Sequence, residues 1–303
     1  MSWDLPAPKY HGIALAGFHE PPMGWFSAGA GYSVGIMADH EGGRPPHLAA
    51  EVRPLDCKAL GMTHLGARSS SSGWLLDEMG SAGRENLDAG HVARYDAKED
   101  AHAAAEVALL VDLGLDDRSH VVDLGAGTGQ FTLAVAPSCC RVVAVDVSPL
   151  MLDRLRAKVE ASAVSNVDIV RAGFVTYEHL GPPADVVYTR WALHHLPDFW
   201  KAVALHRMRT ILRRGGVLRL SDVVFSFDPP EAEARIEQWC ASLPSEAATE
   251  DEWVRADIEE HVRDEHSTFS WVLEAMMERS GFRVEDASYT ADGMFAEYIA
   301  RAV

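Results

Sequence analysis

An apolar strand that runs straight into a glycine-rich turn is the feature that most constrains the fold of this chain. Residues 119–124, Ser-His-Val-Val-Asp-Leu, carry their apolar side chains at 121, 122 and 124 and lead into Gly125-Ala-Gly-Thr-Gly129. A second apolar segment, 141–145, ends on Asp146. In a parallel sheet, such a turn lets backbone N–H groups approach a ligand, and an acid at the end of the next strand accepts hydrogen bonds from a ribose diol. Together the two segments predict a nucleoside-binding crevice.

The turn differs from the dinucleotide fingerprint at one position. Gln130 stands where that fingerprint usually has its third glycine, the one that supports a pyrophosphate at the helix N-terminus. A ligand without a pyrophosphate does not need that close approach. The difference counts against a nicotinamide-dependent oxidoreductase, which is kept as the less favoured alternative.

Apolar and helical segments alternate along most of the chain, as in a parallel sheet covered by helices on both faces. We predict strands at about 119–124, 141–146, 167–171, 184–189 and 216–223, and helices at 98–113, 129–136, 149–162 and 198–213. Two final strands, 282–289 and 294–301, are joined by so tight a turn that they must be antiparallel. The predicted fold class is α/β, with a mostly parallel, Rossmann-like sheet of seven strands and a terminal antiparallel hairpin.

The composition changes near residue 85. Residues 1–85 hold 13 of the 24 glycines and 7 of the 15 prolines and keep no long periodicity, which predicts a poorly ordered extension or a cap. Residues 86–303 form the predicted domain. Within it, 228–280 is an acidic helical insertion whose three tryptophans indicate that one side of it packs against something.

Composition and charge exclude several functions. A formal net charge of −18 argues against binding a nucleic-acid backbone, because phosphates would be repelled. The chain has no apolar run long enough to span a bilayer and no apolar signal core after Met1, so we expect a cytoplasmic protein without a membrane partner. The four cysteines show no metal-binding spacing. A homodimer is compatible with the sequence.

Four motifs, in the same order and spacing, resemble those of class I S-adenosylmethionine-dependent methyltransferases. They lie at 121–129, 143–151, 192–198 and 212–218. The resemblance covers roughly residues 90–303 and is closest to quinone-biosynthesis and natural-product small-molecule methyltransferases. It implies S-adenosylmethionine as cofactor and methylation of a small organic acceptor, with oxygen favoured over nitrogen or carbon and S-adenosylhomocysteine released. A non-catalytic binding protein with this fold is the alternative.

The resemblance also assigns residues to the cofactor. Asp123 is expected beside the methionine ammonium and Asp146 at the ribose hydroxyls. Phe174 stands where many relatives have an Asp for the adenine amine, so that polar contact stays unassigned and Phe174 or Met151 would pack on the ring. The complete expected set is Tyr95, Asp123, Gly125, Ala126, Gly127, Gly129, Asp146, Val147, Met151, Gly173, Phe174 and Arg190.

The expected catalytic residues are His194, His195 and Asp222. The ends of strands four and five should bring a histidine and Asp222 together, and a carboxylate that orients an imidazole suits removal of a proton from an acceptor hydroxyl. The alternative is that the histidines only shape the crevice. We expect no metal, because neighbouring residues rarely point at one ion and no other ligand cluster accompanies them in the sequence.

Overall fold

The computed structural model describes residues 73–83, 86–98, 102–245 and 253–303. The strands are β1 (His120–Leu124), β2 (Arg141–Asp146), β3 (Val167–Arg171), β4 (Ala184–Arg190), β5 (Leu212–Phe225), β6 (Thr268–Phe269), β7 (Phe282–Tyr289) and β8 (Phe295–Ala302). The α-helices are α1 (Ala89–Lys98), α2 (Ala103–Asp112), α3 (Gln130–Val135), α4 (Pro149–Ala161), α5 (Asp198–Ile211), α6 (Ala232–Ala241), α7 (Arg255–Asp264) and α8 (Ser270–Arg279).

Seven of these strands form one continuous sheet in the order β3-β2-β1-β4-β5-β8-β7. The first five are parallel to one another, and β8 runs antiparallel to both β5 and β7. The two-residue strand β6 pairs with β5 beside this order. The predicted α/β fold, with its parallel sheet and terminal antiparallel hairpin, is confirmed.

Both faces of the sheet are buried, because successive side chains of a strand point to opposite sides and apolar residues occupy both. The adjacent valines of β1 and β2 show this. Val122 and Val143 belong to the larger core, which α5 and α8 cover, whereas Val121 and Val142 belong to a second core together with Leu110 of α2. The continuous apolar runs in the sequence follow from this arrangement.

The start of the domain differs from the prediction. One helix was expected over 98–113, but the structure has α1 and α2 with residues 99–101 outside the described part of the chain. Tyr95 therefore lies within a helix rather than before the first one. Strand β5 also begins earlier than expected, at Leu212, because a bulge lies between Leu212 and Val217 in its pairing with β4. Within this bulge Gly215 adopts a left-handed backbone, with a φ of 75°.

The described parts of the segment 228–280, which are 228–245 and 253–280, hold a 3₁₀ turn, three α-helices and the short strand β6. Helix α8 packs its Leu273 and Met277 into the sheet core. Trp239 lines a cavity with Trp253, whereas Trp271 is 60% exposed, so only two of the three tryptophans fit the expected packed side. None of the described helices is long and apolar enough to cross a membrane.

Most of the predicted extension, residues 1–72 and 84–85, lies outside the described residues. Its residues 73–83 are described, and Glu78 lies buried against the loop after β3. The Glu78 carboxylate accepts hydrogen bonds from the backbone N–H groups of Val175 and Thr176 at 2.9 and 3.0 Å. These hydrogen bonds hold residues 73–83 to the loop after β3.

Candidate active site

The glycine turn after β1 is held against the end of β2. The N–H groups of Gly125 and Ala126 both donate to the carbonyl of Val145, at 2.9 and 3.0 Å. Gly125 has a φ of 76°, and a Cβ at this position would overlap the side chain of Ala192. Only glycine fits here, because it alone tolerates both the left-handed backbone and the close approach of the loop after β4.

Asp146, at the end of β2, shapes the same turn. Its two carboxylate oxygens accept hydrogen bonds from the N–H groups of Gly127 and Ser148, each at 2.8 Å. Burial raises the pKa of Asp146, although these amides favour its charged form. Each oxygen retains a second lone pair, so the carboxylate can accept hydrogen bonds from a ligand as well.

Three cavities open at this edge of the sheet. The turn cavity is lined by Asp123, the glycine turn and Arg190, and the strand-end cavity by Asp146, Gly173 and Phe174. The third, the aromatic cavity, has a volume of about 770 Å³. Tyr95 and Trp191 line all three, so the cavities meet at these two side chains.

Ten of the twelve expected cofactor residues line the turn or strand-end cavity: Tyr95, Asp123, Gly125, Ala126, Gly127, Asp146, Val147, Gly173, Phe174 and Arg190. Gly129 does not line these cavities; its φ of 84° and its missing Cβ let the turn pack on Leu155 of α4. Met151 does not line them either, because it is 1% exposed at the start of α4. The structure therefore places both residues behind the turn, outside the linings of these two cavities, and their contact with the cofactor stays a prediction.

Asp123 is a carboxyl whose charge depends on its surroundings. It accepts a hydrogen bond from the Thr132 hydroxyl at 2.5 Å and is buried at the end of β1. Burial raises its pKa to about 7, with a smaller contribution from the charge of Asp146. A cation placed in the turn cavity would favour the ionised form.

Glu78 is a residue of the strand-end cavity that the sequence motifs did not reveal. Its carboxylate lies over Gly173, where a Cβ would collide with it, and burial raises the pKa of Glu78. It stands next to Phe174, the position where an acid was missing from the motif. The only sequence signal was an isolated acid far upstream, which no local spacing connects to β3.

A buried histidine cluster forms one wall of the aromatic cavity. His194 and His195 lie in a 3₁₀ turn, Leu193–His195, that follows β4, and the Nδ1 of His194 bonds to Asp222 on β5 as predicted. The Nε2 of His194 lies 3.1 Å from an oxygen of Glu265, which also lies 2.5 Å from the Nδ1 of His261. Both nitrogens of His194 therefore face carboxylates.

The two neighbouring histidines differ in charge. Burial alone would lower the pKa of His194, but the Asp222 and Glu265 carboxylates outweigh it and raise that pKa to about 10. Burial and the charge of His194 lower the pKa of His195 to about 3. His195 is thus the neutral histidine, and it lines both the strand-end and the aromatic cavity.

The backbone around the cluster explains how Glu265 reaches it. Helix α7 ends at Asp264, and the N–H of His266 donates to the carbonyl of His194 at 2.9 Å. The ammonium of Lys201 donates to the carbonyl of His266 and pairs with Asp198 at 2.9 Å. The loop that carries Glu265 is therefore fixed beside the histidine turn.

Trp191 is a second residue of the site that the sequence motifs did not assign. It has a φ of 48°, which is unfavourable for a bulky side chain and is found mainly where surrounding contacts impose it. The guanidinium of Arg190 lies 4.3 Å from its ring, and Phe295 packs at 6.3 Å on another side. These contacts hold the indole where the three cavities meet.

Comparison with known proteins identifies the domain type. Residues 121–216 match the family model described as "Methyltransferase domain". A carboxy-S-adenosyl-L-methionine synthase of Dichelobacter nodosus is 28% identical over 112 residues, covering 36% of this chain and 46% of that protein. The chain thus spans about half the length of the curated relatives that it matches first.

Two solved structures share the fold. An S-adenosylmethionine-dependent methyltransferase from Clostridium acetobutylicum has a TM-score of 0.54 at 13% identity, covering 70% of this chain and 96% of that one. Magnesium protoporphyrin IX methyltransferase of Synechocystis, solved with bound S-adenosylmethionine, has a TM-score of 0.52 at 15% identity and covers 77% of this chain and 100% of that one.

Proposed function

We propose that this chain, whose residues 121–216 form a methyltransferase domain of the class I, S-adenosylmethionine-dependent type, methylates a small organic acceptor. A nucleophilic atom of the acceptor attacks the sulfonium methyl in line, and S-adenosylhomocysteine leaves. The single observation that carries the proposal is the meeting of three cavities at Tyr95 and Trp191: two that suit the cofactor and one that suits an acceptor.

The chemistry of the two smaller cavities supports the placement of the cofactor. The turn cavity offers Asp123 to an ammonium and Arg190 to a carboxylate, which are the two charged groups of a methionyl moiety. The strand-end cavity offers Asp146 to ribose hydroxyls and the ring of Phe174 to a base. A sulfonium between the two moieties would then lie near Trp191.

The terminal hairpin and Gln130 favour this cofactor over a nicotinamide dinucleotide. Helix α3 begins at Gln130, and its first turn contains no further glycine that would admit a pyrophosphate. A non-catalytic role is disfavoured by the aromatic cavity, whose volume of about 770 Å³ is within the range of small-molecule sites. A protein that only bound the cofactor would not need this space.

The lining of the aromatic cavity supports a neutral or cationic acceptor with an aromatic body. Four of its aromatic side chains are Trp191, Trp239, Trp253 and Phe295, and no Lys or Arg occurs among the described residues that line it. Aromatic walls suit flat apolar groups and cations. An acceptor with a phosphate or carboxylate would find no Lys or Arg in the described lining, and the cationic His194 already faces the carboxylates of Asp222 and Glu265.

This lining also bears on the relatives named carboxy-S-adenosyl-L-methionine synthase. The product in that name carries an added carboxylate, and such a group needs a cation or several N–H donors near the sulfonium. The described wall of the aromatic cavity has no Lys or Arg, and Arg190 in the turn cavity is already assigned to the methionyl carboxylate. We therefore favour methyl transfer for this chain.

We favour oxygen as the methylated atom because the histidine cluster lies at the proposed point of transfer. His195 is the predicted catalytic residue placed to meet an acceptor hydroxyl, since it lines both the strand-end and the aromatic cavity. His194 is not free to accept a proton, because both of its ring nitrogens face carboxylates. His194 and Asp222 would instead hold the turn that carries His195. Asp222 would then be a positioning residue.

Calorimetric titration tests the proposal. Purified chain should bind one equivalent of S-adenosylhomocysteine and should not bind NAD⁺ in the same buffer. An acceptor screen with radiolabelled methyl groups should then favour phenols over phenolic acids. Absence of S-adenosylhomocysteine binding, or equal binding of NAD⁺, would contradict the cofactor assignment. Turnover that is unchanged in His195→Ala would contradict the role of that histidine.

A further inference from the structure

The histidine cluster has the composition of a transition-metal site. One ligand atom from each of His194, His195 and Glu265 lies within 4.8 Å of the other two, and the cluster is largely buried. Imidazole with carboxylate is the donor set that proteins use for zinc and iron. We expected no metal because adjacent histidines rarely point at one ion and because the sequence shows no further ligand cluster. In the structure, the 3₁₀ turn and the loop that carries Glu265 bring three ligand atoms together.

We propose that His194, His195 and Glu265 bind one divalent first-row transition-metal ion in the wall of the aromatic cavity. This inference rests on the proposed function only for its role: with His195 as a ligand, the ion rather than the imidazole would meet the acceptor hydroxyl and polarise it at the point of methyl transfer. The binding itself stands on the geometry of the cluster.

The distance between two of the ligand atoms fits a shared ion. The Nε2 of His194 and the Oε2 of Glu265 are 3.1 Å apart. Two ligands on a tetrahedral zinc, each about 2.0–2.2 Å from the ion, are about 3.3 Å apart. A small outward movement of one side chain would therefore complete the pair.

One buried atom of the cluster is without a hydrogen-bond partner. The Nδ1 of His195 has none among the described residues, whereas the Oε2 of Glu265 already lies within hydrogen-bond distance of His194 and His261. A buried polar atom normally has a partner, and a bound ion is one established reason for an exception.

The surroundings of His194 are those of a supported metal ligand. Asp222 occupies its Nδ1 and so leaves Nε2 as the nitrogen that faces Glu265. A carboxylate on the far nitrogen of a ligating histidine fixes the ring and increases its basicity. His261 lies on the other side of Glu265, with its Nε2 held 2.8 Å from the Ser267 hydroxyl. This histidine can act as a fourth ligand or as a support.

The test uses the untagged full chain after removal of metal with a chelator. Zinc titrated by calorimetry should bind at one equivalent, and Co²⁺ should give a visible absorption band. His195→Ala and Glu265→Gln should abolish stoichiometric binding, and Asp222→Asn should weaken it about 10- to 100-fold. The exposed residues His206 and Glu278 supply matched controls, since His206→Ala and Glu278→Gln should leave binding unchanged.

X-ray absorption of the wild-type zinc complex identifies the ligands directly and does not depend on whether any variant folds. It should show two or three imidazoles and a carboxylate oxygen around the ion. No stoichiometric zinc binding, or binding that Glu265→Gln leaves unchanged, would overturn the inference even where S-adenosylhomocysteine still binds. Zinc binding without S-adenosylhomocysteine binding would support the metal site and overturn the proposed function.

Discussion

The cofactor side of the cleft is built from neighbours in the sequence, whereas the acceptor side is built from distant segments. Strands β1 and β2, with the glycine turn between them, supply Asp123, Gly125 and Asp146 within two dozen residues. The aromatic cavity instead takes side chains from α1, the loop after β4, α6, α7 and β8. Short loops at the ends of parallel strands make the first arrangement local, and helices that cross over the sheet make the second one non-local.

This difference predicts that the two sides respond differently to substitution. Substitutions on the cofactor side should reduce both the stability of the protein and its affinity for the cofactor, because the backbone of the glycine turn forms the binding site. Substitutions on the acceptor side should reduce turnover and leave the affinity for the cofactor unchanged. Four substitutions test this contrast, in order of decreasing effect.

Gly125→Ala should have the largest effect. The new Cβ would overlap Ala192 and force a left-handed backbone, for a combined loss of about 2–5 kcal/mol in the free energy of unfolding. Gly114→Ala is the matched control, since Gly114 has a φ of 106° and open space around it. Thermal unfolding of both variants measures the difference. Equal losses would show that the contact with Ala192 is unimportant.

Asp146→Ala should weaken S-adenosylhomocysteine binding by at least about a hundredfold. The N–H groups of Gly127 and Ser148 would lose their acceptor, at about 1–3 kcal/mol each, and the ribose would lose its partner as well. Calorimetry gives the affinity, and Asp153→Ala on the exposed face of α4 is the control. An unchanged affinity would mean that the nucleoside lies elsewhere.

Asp123 should make cofactor binding depend on pH. Its raised pKa of about 7 means that the free protein carries a neutral carboxyl below pH 7, and the cofactor ammonium favours the ionised form. Binding then releases a proton, so affinity should fall by up to about tenfold per pH unit as the pH drops below 7 and should level off above it. Titrations of wild type and Asp123→Asn from pH 5.5 to 8 measure this. A slope that persists in Asp123→Asn would assign the effect to another group.

Trp239→Ala should have the smallest effect on the cofactor. Trp239 packs against His261 and Phe295 on the acceptor side, at ring distances of 5.8 and 5.7 Å. We expect S-adenosylhomocysteine affinity to change less than about threefold while the KM for an aromatic acceptor rises about tenfold or more. A large loss of cofactor affinity would remove the distinction between the two sides.

The same contrast explains what the sequence could predict. The fold, the glycine turn and Asp146 followed from local patterns, because parallel strands place their carboxyl ends at one edge. A contact between one of the two histidines and Asp222 could be predicted, because β4 and β5 are neighbours in the sheet; the structure shows that this histidine is His194. Glu265 and Glu78 could not be found, since each reaches the site from a segment whose position depends on tertiary packing.

Two of the expected cofactor residues lie outside the cavities for the same physical reason. Gly129 and Met151 belong to matching motifs, yet their positions serve the packing of α4 against the turn rather than the cavities. A sequence motif includes both residues that contact a ligand and residues that pack the loop in place. The burial of each residue and its contacts in the structure distinguish the two kinds.

The most direct test of the account is a crystal structure of the chain with S-adenosylmethionine bound. The account predicts ribose hydroxyls on Asp146, the methionyl ammonium near Asp123, and the sulfonium methyl directed past Trp191 into the aromatic cavity beside His195. A cofactor whose methyl faces away from this cavity, or whose ribose does not contact Asp146, would contradict it.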